Sequence, residues 1–254
     1  MIKVIKIGGG IIENEHNLTL FLKSFSKING PKVLIHGGGR LATKFAEKLG
    51  YKTKMAEGRR ITDENMLEVV TMVYGGLANK KIVAELQSQG INALGLSGAD
   101  GNLIKAHKRP VEKIDFGWVG DIEKVNSNLL LSLIKRDIVP IIAPLSHDGR
   151  GKVLNTNADT IANEVAKALA QKEETQLILG FELEGVLKDI TESSSVIPKI
   201  TTQLFSQLKS KGVISEGMIP KLTNAFDAIQ AGVTSVRICN ALKIEEDSGT
   251  LILE

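Results

Sequence analysis

Short runs of β-branched and apolar residues alternate along the chain with longer stretches in which apolar positions recur at helical spacing. The runs at 3–7, 32–36, 92–96, 138–143, 176–179 and 235–239 predict strands that are apolar on both faces. The periodic stretches at 18–28, 41–49, 63–89, 128–135, 158–170, 201–211 and 219–231 predict amphipathic helices. Alternation of this kind predicts an α/β fold, with a mostly parallel sheet covered by helices on both faces. The stretch from 63 is long. Thr62 is placed to cap it, and Asp63 and Glu64 suit the positive end of its dipole. Two regions break the pattern. Residues 102–123, with Pro110, Gly117 and Gly120, read as a hairpin-rich insertion or a sheet edge, and 147–152 reads as a turn. If there are two lobes, they join near the polar run Gln171-Lys172-Glu173-Glu174, giving 1–170 and 171–254.

The chain has 254 residues, 43% of them hydrophobic, which is enough for a sizeable core. A net charge of +3 with both signs well mixed leaves no basic stripe for nucleic acid or a membrane surface. The one cysteine, Cys239, lies in an apolar run and reads as a buried small hydrophobe, so neither an internal disulfide nor a cysteine-based zinc site is expected. No apolar run approaches the ~20 residues of a membrane span, and no signal-peptide pattern is present. The expectation is a cytoplasmic protein.

Candidate chemistry begins with two glycine clusters. Gly8-Gly9-Gly10 closes the first predicted strand, and Gly37-Gly38-Gly39 closes the second. Ligands of parallel α/β sheets sit beyond the carboxyl ends of the strands. Glycines there let several N–H groups point at one anion, with a helix N-terminus behind them. Two such loops on neighbouring strands suit a phosphoryl group in transit, although each could also be a simple tight turn. A nucleotide-binding P-loop is excluded, because the only Gly-Lys pair, Gly151-Lys152, is followed by Val153. Gly37-x-Gly39-x-x-Ala42 fits a variant dinucleotide fingerprint, so a nicotinamide-dependent oxidoreductase or a nucleotide-binding sensor stays open. Its acidic partner is missing from the end of a second strand, and in the first cluster Glu13 stands at the third glycine position.

Phosphoryl transfer needs cations and N–H donors more than covalent chemistry. Lys6 lies on an otherwise apolar strand, where a lysine is costly to bury unless paired or functional. Lys221 falls in the first turns of a predicted helix, where it opposes the dipole and calls for an anion. Asn155 and Asn157 precede another helix as turn or cap residues, and Asp159 beside them could orient lysines. Arg60 could clamp a carboxylate with two parallel hydrogen bonds.

Taken in order, Lys6 with Gly8-Gly9, His36-Gly37-Gly38-Gly39, Gly58-Arg59-Arg60-Ile61-Thr62, Asn79-Lys80, Phe116-Gly117-Trp118-Val119-Gly120, Asn155-Thr156-Asn157-Ala158-Asp159 and Gly217-Met218-Ile219-Pro220-Lys221 form a specific set. The sequence resembles the N-acetylglutamate kinases of the amino acid kinase superfamily over nearly its whole length. The resemblance implies an open αβα sandwich with a mostly parallel sheet of about eight strands and two lobes. It implies that 1–170 binds the acylated amino acid and forms a homodimer through the long helix, and that 171–254 binds ATP. By similarity, Lys6 and Lys221 flank the transferred phosphoryl group and Asp159 holds them in place. Gly8, Gly9, Gly37 and Gly38 line the transfer site, and Arg60 and Asn155 grip the substrate. Glu182, Gly217 and Met218 contact the nucleotide, and Mg2+ arrives on the ATP phosphates with no metal site of the protein's own.

Two departures from the family pattern stand out. Gly180-Phe181-Glu182-Leu183-Glu184 replaces the usual Thr/Ser-Asp-Val segment, with Glu182 at the aspartate position, and Ile238-Cys239-Asn240-Ala241 replaces an Ile-Asp-Gly-Arg motif. Met1 beside the first strand leaves out the extra helix of arginine-inhibited relatives, so a dimer without that feedback is expected. The activity implied is transfer of the ATP γ-phosphoryl group to the γ-carboxylate of N-acetyl-L-glutamate. N-succinyl-L-glutamate, or the acceptor of another kinase of the superfamily, is the alternative.

Overall fold

The computed structural model describes the chain from Met1 to Glu254 except residues 190, 193 and 215–217. It opens with β1 (Ile2–Ile7), α1 (Gly9–Glu13), α2 (Glu15–Ser26), β2 (Lys32–His36), α3 (Gly39–Lys48), β3 (Lys54–Ala56) and β4 (Arg59–Ile61). A continuous helical stretch follows, made of α4 (Glu64–Val70), a π-helical segment (Thr71–Ala78) and α5 (Asn79–Ser88). Then come β5 (Ala93–Leu96), β6 (Ile104–Lys108), β7 (Gly120–Val125), α6 (Ser127–Ile134), β8 (Val139–Ile142), β9 (Leu145–His147), β10 (Val153–Asn155) and α7 (Ala158–Ala170). The remainder is β11 (Thr175–Phe181), β12 (Lys199–Ile200), α8 (Thr202–Ser210), α9 (Ile219–Gln230), β13 (Ser235–Asn240) and β14 (Thr250–Ile252).

The central sheet has eight strands in the order β12-β14-β13-β11-β1-β2-β8-β5. From β13 to β5 every neighbour is parallel, and β14 runs antiparallel to β13. The first and last parts of the chain contribute separate blocks of strands, which meet where β1 pairs with β11 from Ile2↔Thr175 to Ile7↔Gly180. Ile7 also pairs with His36 at the end of β2. The carboxyl ends of β1, β2 and β11 therefore open side by side.

Alternation along the strands divides the core. Val4, Val33, Ile35, Leu177 and Leu179 face a cluster with Ile161 and Val165 of α7, Leu130 of α6 and Phe226 of α9. Ile5, Ile7, Leu34 and Ile178 face Phe21, Leu22 and Phe25 of α2 and Ile82 and Leu86 of α5. Each fully buried side chain of this kind contributes roughly 1.5–3 kcal/mol. The result is the three-layer αβα sandwich the alternation predicts. Cys239 is buried in the second cluster, and desolvation pushes its thiol up to about 11.

Locally the structure corrects one reading and adds two elements that the sequence left unassigned. Asp63, not Thr62, caps the long helix, its Oδ1 accepting from Met66 N at 2.9 Å. Thr62 is held in extended backbone by Phe116 and bridges Gly117. Residues 54–61 form a hairpin, β3 pairing with β4 across a turn in which Glu57 and Gly58 both have positive φ. The first glycine cluster passes directly into α1, where burial of Ile11 and Ile12 against α2 offsets the poor helix propensity of the two glycines. The irregular region at 102–123 is a hairpin, as expected: β6 and β7 pair antiparallel and join β9 and β10 in a four-stranded sheet. Among the described residues, no helix is long and apolar enough to cross a membrane.

Candidate active site

The two glycine clusters lie against each other at the open ends of β1 and β2. Gly37 N donates to Ile7 O at 3.0 Å. A Cβ on Gly37 would stand 3.1 Å from Gly9 N, and a Cβ on Gly9 would stand 3.6 Å from Gly39 N and 3.7 Å from Gly38 N. Side chains here would fill the gap into which the amides converge. Neither α1 nor α3 has a side-chain cap on its first N–H groups. Gly38 has φ 151°, and the ring of Tyr74 lies 2.9 Å from where its Cβ would be.

The charged groups meet on this spot from distant parts of the sequence. Lys6 is 5% exposed, and its ammonium pairs with Asp159 Oδ1 at 2.7 Å. Asn157 starts α7 by accepting from the amides of Asp159 and Thr160, which fixes Asp159 in the first turn. Lys221, in the first turn of α9, places its ammonium 3.9 Å from the centre of the Phe181 ring, and Lys6 lies 5.0 Å from the same centre. Two cations thus share one aromatic ring at the end of β11. Burial lowers the Lys221 pKa, Asp159 raises it and Lys6 lowers it further, so the three charges act on one another. The structure brings Lys6, Asp159 and Lys221 together as a unit.

Beside this unit lies a cavity of about 220 Å³ lined by Gly37, Gly38, Arg60, Asn155 and Asp159, with Tyr74, Arg59 and Arg109 on its walls. Arg60 is buried, and its guanidinium is already engaged. Nη2 donates to Gly39 O at 2.7 Å and Thr43 Oγ1 at 2.9 Å, while Nη1 donates to Thr53 Oγ1 at 3.2 Å. A carboxylate taken by both Nη groups must displace some of these partners. Asn155 donates through Nδ2 to Thr62 Oγ1 at 2.9 Å. Arg109 makes a forked pair with Asp121, which holds that carboxyl below its ordinary pKa.

A second opening, of about 400 Å³, is lined by Gly8, Gly9, Gly10, Arg40, Phe181, Glu182 and Lys221. It shares Gly9 and Gly39 with the first cavity. Farther along, Leu183, Val186, Ile214 and Met218 surround an opening of about 270 Å³. Gly217, expected at the phosphate site, lies outside the described residues.

Tyr74 and Phe181 are site residues that the sequence did not single out. The π-helical segment carries Tyr74 onto Gly38 and starts α5 at Asn79, whose Nδ2 lies 3.1 Å from His36 Nε2. The long helix thereby holds the second glycine loop at two points. A π turn has no reliable local signature. Phe181 was visible only as a departure from a family pattern.

Comparison with known proteins agrees with this geometry. A family model described as the amino acid kinase family matches residues 1–240. Over 249 residues the chain is 56% identical to an acetylglutamate kinase of Phocaeicola vulgatus and 57% identical to one of Bacteroides thetaiotaomicron, covering 98% of this chain and 97% of each relative. A solved protein of Streptococcus mutans UA159 superposes with a TM-score of 0.77 at 30% identity, over 99% of this chain and 98% of the other. With its sheet, its paired glycine loops and these relatives, the chain belongs to the amino acid kinase family.

Proposed function

We propose that this kinase transfers the γ-phosphoryl group of ATP to the γ-carboxylate of N-acetyl-L-glutamate, giving ADP and an acyl phosphate. The relatives named acetylglutamate kinase support the substrate. The carrying observation is the cluster of Lys6, Asp159 and Lys221 around Phe181 where the two glycine loops meet.

The cavity beside Arg60 and Asn155 takes the acylated amino acid, and the cleft beside Lys221 and Glu182 takes the phosphate chain. The apolar opening around Val186, Ile214 and Met218 suits the base. A substrate carboxylate oxygen forms the new bond to the γ-phosphorus as the bond to the ADP oxygen breaks. The carboxylate is already ionised, so no general base is required. Lys6 and Lys221 offset the charge spread over the phosphoryl oxygens, and Asp159 pairs with the buried Lys6 and aims it. The amides of Gly8, Gly9, Gly37 and Gly38 supply neutral donors to the same oxygens. Glu182 is the carboxylate lining this cleft, a hard oxygen donor that fits Mg2+ carried in on the phosphates, which would neutralise further charge.

The division at residue 170, a homodimer formed through the long helix and a cytoplasmic location belong to the same proposal. Met72 and Leu77 of the π-helical segment are 56% and 45% exposed, which suits a surface covered by a second copy. The direct test is ADP release with ATP and N-acetyl-L-glutamate, with N-succinyl-L-glutamate and free glutamate in parallel. ADP release that no acylated glutamate increases would defeat the proposal.

A further inference from the structure

The phosphate cleft holds a third cation, which the transfer chemistry leaves without a task. Arg40 is the second residue of α3 and lines the cleft with Gly10, Glu182 and Lys221. A cation in the first turn of a helix faces the positive end of the dipole, so this position is unfavourable unless an anion comes to it. Among the described residues the partner of Arg40 is loose. Glu13 Oε2 stands 3.8 Å from Arg40 Nη1, the side chain is 69% exposed, and Lys44 competes for the same carboxylate at 3.5 Å.

Gly10 makes room for the Glu182 carboxylate, with the Arg40 guanidinium in contact distance beside it. A Cβ there would lie 3.7 Å from Arg40 Nη1 and 1.9 Å from Glu182 Oε1. Arg40 from α3 and Glu182 from the end of β11 therefore reach over the same glycine. Glu182 alone would repel a phosphate chain entering the cleft, and a guanidinium beside the same glycine offsets that repulsion. The planar fork of arginine also matches two phosphate oxygens at once, which a lysine cannot do.

We propose that Arg40 is a phosphate-binding residue, its guanidinium leaving Glu13 to close on the phosphate chain of the nucleotide while Lys221 approaches from α9. This rests on the assignment of the cleft to ATP. Its test compares wild type, Arg40→Ala and Arg40→Lys by calorimetric titration with ATP, ADP and AMP, with Lys221→Ala assayed for kcat alongside. Arg40→Ala should weaken ATP and ADP about tenfold or more while AMP and the KM for N-acetyl-L-glutamate stay within about twofold. Arg40→Lys should recover part of the loss by restoring charge without the fork. ATP binding by Arg40→Ala within about twofold of wild type, or equal weakening of all three nucleotides, overturns the inference. If Lys221→Ala still loses kcat in that case, the cleft remains the ATP site and only the role of Arg40 falls. If Lys221→Ala also keeps wild-type kcat, the assignment of the cleft fails and the inference fails with it.

Discussion

His36 should make the protein's stability depend on pH in a calculable way. It ends β2 within the second glycine loop and is wholly buried. Nδ1–H donates to Gly37 O at 2.7 Å, which leaves Nε2 to accept from Asn79 Nδ2 at 3.1 Å. Protonating Nε2 would set two donors face to face without water. Burial accordingly lowers the pKa from 6.5 to about 4, despite the favourable bond to Gly37. Between these values the unfolded chain binds a proton that the folded chain refuses. The contribution is thus fully present above the unfolded pKa and lost as pH falls through the folded one. The gap of about 2.5 units amounts to about 3 kcal/mol in total, of which about 2 kcal/mol is lost by pH 5.

The assay is urea unfolding of wild type and His36→Gln at pH 7, 6 and 5, at one protomer concentration. Glutamine can still accept from Asn79 but does not titrate. Other groups, such as the depressed carboxyls of Asp121 and Glu184, change both proteins alike and cancel in the difference. Wild type should lose about 2 kcal/mol more than the variant over this range. Parallel curves for the two proteins would refute the reasoning, because they would mean that His36 titrates normally in the fold.

Four further outcomes are expected. Lys221→Ala should lower kcat by about 100-fold or more with modest change in nucleotide affinity, as steady-state kinetics and calorimetry would show. Arg60→Ala should chiefly raise the KM for the acylated amino acid and also lower the melting temperature, since Gly39 O loses its donor. Gly38→Ala should destabilise by about 1–3 kcal/mol, because it meets the Tyr74 ring at φ 151°, whereas Gly8→Ala, with nothing within 4 Å of the new methyl group, should melt like wild type in calorimetry. Met72→Glu with Leu77→Glu should halve the mass seen by sedimentation if these exposed residues lie in the homodimer interface.

Several elements are legible in the sequence because their signals are local. The apolar runs of β1, β2, β8, β11 and β13 mark strands buried on both faces, that of β5 marks the partly exposed edge strand, and strand–helix alternation leaves few ways to stack them. Glycine clusters directly after two such strands mark where the site was expected, because only backbone without side chains can approach a ligand so closely. Lys6 stands out for a similar reason: a charge on an apolar strand requires a partner, and that partner is Asp159 at 2.7 Å. Other features depend on chain segments far apart in sequence. Lys221 and Phe181 meet Lys6 only because β11 pairs with β1 and α9 packs beside them. Arg60 is bound by Gly39, Thr43 and Thr53, which its own segment does not reveal. The π-helical segment that seats Tyr74 on Gly38 has no periodicity of its own to announce it. The sequence by itself determined which segments are strands and helices and where an anion site was to be sought, since periodicity and glycine act on neighbouring residues. Only the tertiary structure decided which charges share that site, because Coulomb forces and packing depend on distance in space and not on distance along the chain.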